Sequence, residues 1–333
     1  MNVPRALRIV LCPLSLVYGA VARLRAWMYV NGWLKQERLK GIVISVGNMT
    51  VGGTGKTPMV IWLADKFLAE GKSVAVLSRG YRGSSGTSDE IELMKRRLCG
   101  RVLFGVGKNR LAEGRRLEAN GVDIFLLDDG FQHLPLARDV DIVLVDSTRP
   151  LHEEFVLPAG RLREPHAAIE RAHMVVFTRT EPSKSTADAI QKFPQFAIYP
   201  STTKLLGFRR HGGADSESFR TLGHDPVFAF CGIGNPEAFW GDLGRWGLKV
   251  VGRKAFRDHH LYTQREVQAL EKEAELAGAA ALVTTEKDAQ NLDVKSLPGM
   301  PVHIAVIALE IPDEARFLRD LQERLRPRRG VAA

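Results

Sequence analysis

The stretch VGGTGKTP, residues 51–58, has the make-up of a phosphate-binding loop. Glycines free backbone N–H groups to surround phosphate oxygens, and a helix starting just beyond them adds positive potential. On this reading Gly52, Gly53, Thr54, Gly55, Lys56, Thr57 and Pro58 bind a nucleotide. Lys56 reaches its β- and γ-phosphates, the Thr57 hydroxyl ligates Mg²⁺, and Pro58 suits the first turn of the helix. The strict pattern G-x-x-x-x-G-K-[ST] asks for glycine at position 50, where Thr50 stands; Gly52, Gly53 and Gly55 partly compensate. Such a loop needs a metal partner at the end of another strand. FLLDDGFQH, residues 125–133, offers Asp128 and Asp129 after an apolar run, Gly130 for a turn, and His133 four residues past Asp129. Adjacent carboxylates at a strand tip are costly unless a cation neutralises them, which fits a Walker-B role toward Mg²⁺.

The elements that must position these residues follow from the apolar pattern. Short β-branched runs at 41–47, 73–78, 101–105, 123–129, 140–146 and 173–178 alternate with helical patterns at about 57–70 and 108–120. Near-continuous apolar strands between helices predict a P-loop NTPase-like α/β fold, a mainly parallel sheet with helices on both faces. After the polar stretch 179–194 a second alternation begins, with strands in PVFAFCGIG and AALVTTEKD and helices at 236–246, 263–277 and 313–325. The expected organisation is an N-terminal amphipathic segment (1–36), a P-loop domain (37–181) and a smaller C-terminal α/β domain (182–333).

The 333 residues carry 47 Lys and Arg against 38 Asp and Glu, a net charge of +9 that favours anionic partners. Cys12, Cys99 and Cys231 are widely spaced, which excludes a disulfide framework and fits a reducing cytoplasm. The apolar run from Ile9 to Ala22 is flanked by Arg5, Arg8, Arg23 and Arg25, with Trp27, Tyr29 and Trp33 beyond it. At about 14 residues it is short of the roughly 20 that a spanning helix needs. It reads as an amphipathic helix lying in a membrane interface, and the absence of any acid before Glu37 suits an anionic leaflet. Ala20-Val21-Ala22 imitates a signal-peptide cleavage site, but a nucleotide loop needs a cytosolic nucleotide.

Six segments occur in a fixed order: SVGNMTVGGTGKTP, LSRGYRG, DDGFQH, LPAGRLREP, DHHLYT and VTTEKDA. Together they resemble the tetraacyldisaccharide 4'-kinase family, the lipid A pathway kinases of Gram-negative bacteria, as does the opening PLSLVYGAVARLR. The resemblance runs from about Pro13 to Asp288. It implies transfer of the γ-phosphoryl group of ATP, with Mg²⁺, to the 4'-hydroxyl of a tetraacylated glucosamine disaccharide 1-phosphate, giving lipid IVA. It also implies a peripheral or monotopic enzyme on the cytoplasmic leaflet of the bacterial inner membrane. By the same resemblance Lys56 and Thr57 match the P-loop residues, and Asp128 and Asp129 the Walker-B pair closed by His133. Arg163 and Glu164 match residues near the active site, and His259 and His260 the DHH motif. The family's general base is an aspartate in a GDEP-like motif; here TSDEIEL gives Asp89, with Glu90 as the alternative, since Ser88 and Ile91 replace the glycine and proline. A histidine of the DHH motif, His259 or His260, would orient that base. Thr284 to Asp288 are expected against the nucleotide base or sugar.

Two rival readings remain open on sequence. One is a P-loop NTPase that couples hydrolysis to a conformational change at the membrane surface; the guanine motif N-K-x-D is missing, TEKD being the nearest string. The other is a basic nucleic-acid module, which calls for aromatics interleaved in a basic groove. The aromatics here concentrate in the N-terminal segment and in core-like positions, so no nucleic-acid partner is expected. Oligomeric state and acyl-chain preference have no signature in the chain.

Overall fold

The computed structural model describes residues 5–80, 88–149, 151, 154–180, 196–212, 222–292 and 299–326. The chain forms two compact units. The first comprises Met1–Gly80, Leu98–Thr202 and Glu310–Ala333, the second Tyr81–Arg97 and Thr203–Leu309. Three described segments therefore fall outside the domains expected for them: 88–97 joins the second unit, and 196–202 and 310–326 the first.

The first unit is built on seven strands in the order β3-β2-β4-β1-β5-β6-β7. They are β1 (Ile42–Asn48), β2 (Val74–Ser78), β3 (Leu103–Val106), β4 (Ile124–Asp128), β5 (Val140–Asp146), β6 (Met174–Thr178) and β7 (Ala197–Pro200), and every pairing is parallel. All residues of β2, β4, β5 and β6 are buried, as a parallel sheet covered on both faces requires. Helix α2 (Lys56–Ala69) follows β1 and buries Met59, Val60, Leu63, Ala64 and Phe67. β1 lies between β4 and β5, and Val46 pairs with Asp128. That register sets the end of β1, where the glycine loop begins, beside the end of β4, where the aspartates stand. Ligands of open α/β sheets bind at such a reversal of strand order, outside the carboxyl ends of the strands.

The N-terminal helix α1 (Arg5–Val30) is longer than the sequence pattern indicated. Arg23 and Arg25 do not end it, because RLRAWM favours helix and carries no glycine or proline. Its stretch Leu7–Val30, 24 residues, is long and apolar enough to cross a membrane by length and composition, which corrects the estimate of about 14. A narrow stripe docks on the first unit: Ser15, Gly19 and Ala26 are buried, and the Ala159 N–H donates to Ser15 Oγ at 3.0 Å. Around the rest of the helix Ile9, Val10, Leu14, Leu16, Val17, Val21 and Val30 are exposed.

The second unit carries five strands in the order β10-β9-β11-β12-β8. They are β8 (Thr202–Arg210), β9 (Val227–Cys231), β10 (Val250–Ala255), β11 (Ala281–Thr285) and β12 (Val302–Glu310). The expected strands in PVFAFCGIG and AALVTTEKD are β9 and β11. Strand β12 was not expected, although its VHIAVIALE is an apolar run. Strands β7, β8 and β10 and helix α3 (Asp89–Leu98) had no clear sequence signal; β8 and β10 are edge strands with mixed exposure and basic residues. Helices α4 (Arg110–Glu118), α5 (Pro236–Arg245), α6 (Gln264–Leu276), α7 (Glu286–Ala289) and α8 (Glu314–Leu325) complete the chain.

Candidate active site

The glycine loop is tied to the first unit by its carbonyls. Asn48 Nδ2 donates to Gly52 O at 3.4 Å, Arg179 Nη1 to Gly53 O at 3.1 Å, and Thr178 Oγ1 to Thr54 O at 3.1 Å. A loop that turns its carbonyls onto the protein leaves its amide N–H groups for an anion. Gly52 at φ +116° and Gly55 at φ +87° adopt backbone that only glycine takes freely, and no atom lies within 4 Å of the space a side chain would fill at Gly52 or Gly53. That open side fits phosphate oxygens. Helix α2 begins at Lys56 with no side-chain cap, so its first N–H groups are available to the same anion. Gly52, Gly53, Thr54, Gly55, Lys56, Thr57 and Pro58 thus form one loop-and-helix start, as expected.

Asp128 is buried at the tip of β4 and accepts from Ser78 Oγ, at the tip of β2, at 3.2 Å. Asp129 follows in left-handed backbone, φ +49°. Its Oδ1 lies 3.5 Å from Lys56 Nζ, and its Oδ2 accepts from Arg163 Nη1 at 2.7 Å. Burial opposes ionisation of Asp129, but Lys56, Arg163 and Arg110 outweigh it and hold the carboxyl below its usual range. His133 is pushed down to about 4 by burial and by Arg110, Arg138, Arg25 and Arg79, so its ring is neutral. Glu164 does not join this group; it is buried and pairs with Arg171 at 2.5 Å. The oxygens expected to meet a cation are those of Thr57, Asp128 and Asp129. Among the described residues no cluster of three or more His, Cys, Asp or Glu could hold a metal. This set fits Mg²⁺, which keeps waters and phosphate oxygens and needs only one or two carboxylates.

The second unit holds a separate group at its strand tips. Ser88 Oγ accepts from the Ile91 N–H at 3.3 Å and starts α3, which buries Ile91, Met94 and Leu98. Arg97, on the last turn of α3, grips both oxygens of Glu286 at 3.1 Å. Asp89, in the first turn of α3, accepts at Oδ2 from His259 Nδ1 at 3.0 Å and from Asn291 Nδ2 at 3.1 Å. The bond from His259, aided by Asn291 and Lys287 and opposed by burial, holds Asp89 below the usual carboxylate range; the same bond raises His259. His259 sits at φ +58°, a strained backbone that such sites retain when surrounding contacts enforce it.

Position thus separates the paired candidates. His260 bonds Glu266 at 3.1 Å and stacks on Phe256, away from Asp89. Glu90 lies 3.7 Å from Lys287 and makes no bond to His259. Thr284 is fully buried and Asp288 is 1% exposed, which removes both from the expected nucleotide contact. Asp288 instead accepts from Gly232 N (2.7 Å), Tyr262 Oη (2.8 Å) and Thr285 Oγ1 (2.6 Å), and burial raises its pKa. Lys287 was expected against the nucleotide and instead lies beside His259, and Asn291 was missed on sequence. Their i, i+4 spacing through one short helical turn was the available signal.

A phosphate loop at the end of β1, paired acids at the end of the adjacent strand and a covered parallel sheet define a P-loop phosphotransferase. The family model for LpxK, tetraacyldisaccharide-1-P 4'-kinase, matches residues 7–326. The chain belongs to that family, and it is a kinase of lipid A biosynthesis. The tetraacyldisaccharide 4'-kinase of Geobacter sulfurreducens is 38% identical, over 93% of this chain and 92% of its own. That of Geobacter metallireducens is also 38% identical, over 91% and 94%. The crystal structure of LpxK from Aquifex aeolicus in complex with ATP matches with a TM-score of 0.72 at 28% identity, covering 96% of this chain and 99% of that one. The rival reading, hydrolysis driving a conformational change, has no comparable support.

Proposed function

We propose that the chain transfers the γ-phosphoryl group of ATP to the 4'-hydroxyl of a tetraacylated disaccharide 1-phosphate, with Asp89 taking the hydroxyl proton. The observation that carries this reading is the Asp89–His259 hydrogen bond at 3.0 Å, a carboxylate with an oriented imidazole. The residues from Gly52 to Thr57 hold the triphosphate, and Lys56 balances charge on the β- and γ-oxygens. Thr57, Asp128 and Asp129 would hold Mg²⁺, which when bound adds charge neutralisation to the same oxygens. Asp89 accepts the proton as the sugar oxygen bonds the γ-phosphorus and the bond to the β-phosphate oxygen breaks, leaving ADP. Arg163 orients Asp129 through their 2.7 Å contact. His133 stays neutral beside the same turn, and Glu164 fixes Arg171, whose guanidinium lies over the Phe131 ring at 4.6 Å.

The exposed apolar surface of α1 supports placement on the cytoplasmic leaflet of the inner membrane, where an acylated substrate rests. The test of the chemistry is a kinetic comparison of Asp89→Asn with Glu90→Gln. Asp89→Asn is expected to lower kcat by about 10²–10⁴-fold with KM for ATP little changed. A loss of that size in Glu90→Gln and not in Asp89→Asn would reassign the base.

A further inference from the structure

The two oxygens of Asp89 are treated differently. Oδ2 receives both His259 Nδ1 and Asn291 Nδ2, at 3.0 and 3.1 Å, and among the described residues no donor meets Oδ1. Asn291 is itself fixed: its N–H donates to Asp288 O at 2.9 Å, and its carbonyl accepts from the Tyr262 N–H at 3.3 Å. On the far side of the imidazole, Lys287 Nζ lies 3.3 Å from His259 Nε2. An ammonium only donates, so this contact requires a lone pair on Nε2 and puts the ring proton on Nδ1, toward Asp89. Lys287 is held there by Asp258 at 3.0 Å and Glu90 at 3.7 Å. The charged groups around the pair are therefore Asp89 and Glu90 from α3, Asp258 from the loop after β10, and Lys287 from α7, with buried Asp288 beneath.

We infer that Asn291 and Lys287 are positioning residues for the base. Asn291 and His259 fasten Oδ2 so that Oδ1 takes the acceptor's proton, and Lys287 keeps His259 in the Nδ1–H form that donates to Asp89. This rests on Asp89 being the base. A carboxylate held by one oxygen keeps the other toward the hydroxyl, and an ammonium beside Nε2 disfavours a proton there, so the neutral ring keeps its proton on Nδ1. Asp288 supplies the footing: its bonds to Gly232 N and Tyr262 Oη join the strand tips that carry the loop, and the His259 N–H donates to Gly232 O at 3.1 Å.

The test is the pH dependence of kcat for lipid phosphorylation by the full chain, with an independent reading of the histidine. Asn291→Ala is expected to lower kcat by about ten- to a hundredfold, the worth of a hydrogen bond to a charged group, with KM for ATP unchanged. Its acid limb moves to higher pH, because the carboxylate has lost a donor. Asn291→Asp is nearly isosteric, so folding is kept, and it is expected to move the limb further by adding a second carboxylate. Nitrogen-15 imidazole NMR, with His259 assigned by His259→Asn, is expected to show the Nδ1–H tautomer in the parent and its loss in Lys287→Met. Parent kcat and an unmoved acid limb in both Asn291 variants, or an unchanged tautomer in Lys287→Met, would overturn the inference. Asp89→Asn run in parallel separates the two failures. If it is inactive while the Asn291 variants are normal, only the positioning roles fail; if it keeps parent kcat, the base assignment fails as well.

Discussion

At the scale of single residues, the first unit balances charge in a small volume. Lys56 and Arg163 both meet Asp129, and Arg110 donates to its carbonyl at 3.2 Å, so removing one cation unbalances the others. Lys56→Ala is expected to lower kcat by about 10²–10³-fold through lost charge stabilisation, read as transfer at saturating ATP; near-parent turnover would refute the loop's role. His133 gives a prediction about stability. Its folded pKa of about 4 lies below the unfolded value of 6.5, so the unfolded chain binds the extra proton between these values. Its contribution is complete above 6.5 and is lost as pH falls through that window. His133→Gln is expected to flatten the decline of the urea midpoint there, and an identical decline in both proteins would contradict it. Lys56, Thr57, Asp128 and Asp129 were legible because glycine spacing and a strand-end acid pair have local signatures. The choices of Asp89 over Glu90 and of His259 over His260 were not. Neighbouring residues point in different directions, and only the fold says which one meets a partner.

At the scale of elements, the approach of the loop after β4 to β1 holds the acids in place. A side chain at Gly47 would lie 2.6 Å from Phe131 Cβ and 2.7 Å from its backbone N. Gly47→Ala must therefore push the turn carrying Asp128 and Asp129 away from β1. The expected cost is about 1–3 kcal/mol in urea unfolding, with a fall in kcat. Unchanged stability and activity would mean that the turn is not held by this contact. The buried central strands of the first unit, β9, β11 and α2 were readable as apolar runs of strand length and as helical periodicity, and β12 carries the same signal. Strands β8 and β10 were hidden because edges carry charge and alternate in exposure, and α3 because DEIELMKRRL is mostly charged and buries only Ile91, Met94 and Leu98.

At the scale of the whole molecule, the chain passes between its two units more often than a linear reading suggests. Residues 88–97 belong to the second unit, where Arg97 locks onto Glu286, and the last helix belongs to the first, where Phe317 packs edge-on against Trp62 and Tyr199. Those attachments are tertiary and leave no mark in local pattern. The apolar outer surface of α1 belongs to this scale too. Val17→Asp with Val21→Asp alters only exposed positions and is expected to weaken binding to anionic vesicles at least about tenfold with folding intact; unchanged sedimentation with vesicles would place the membrane surface elsewhere. The most direct test of the whole account follows the label from γ-labelled ATP, with Mg²⁺ and the tetraacyl disaccharide 1-phosphate in detergent micelles. The account predicts label in the lipid, lost in both Lys56→Ala and Asp89→Asn. Label released as free phosphate with none in the lipid, or undiminished lipid labelling in either variant, would contradict it.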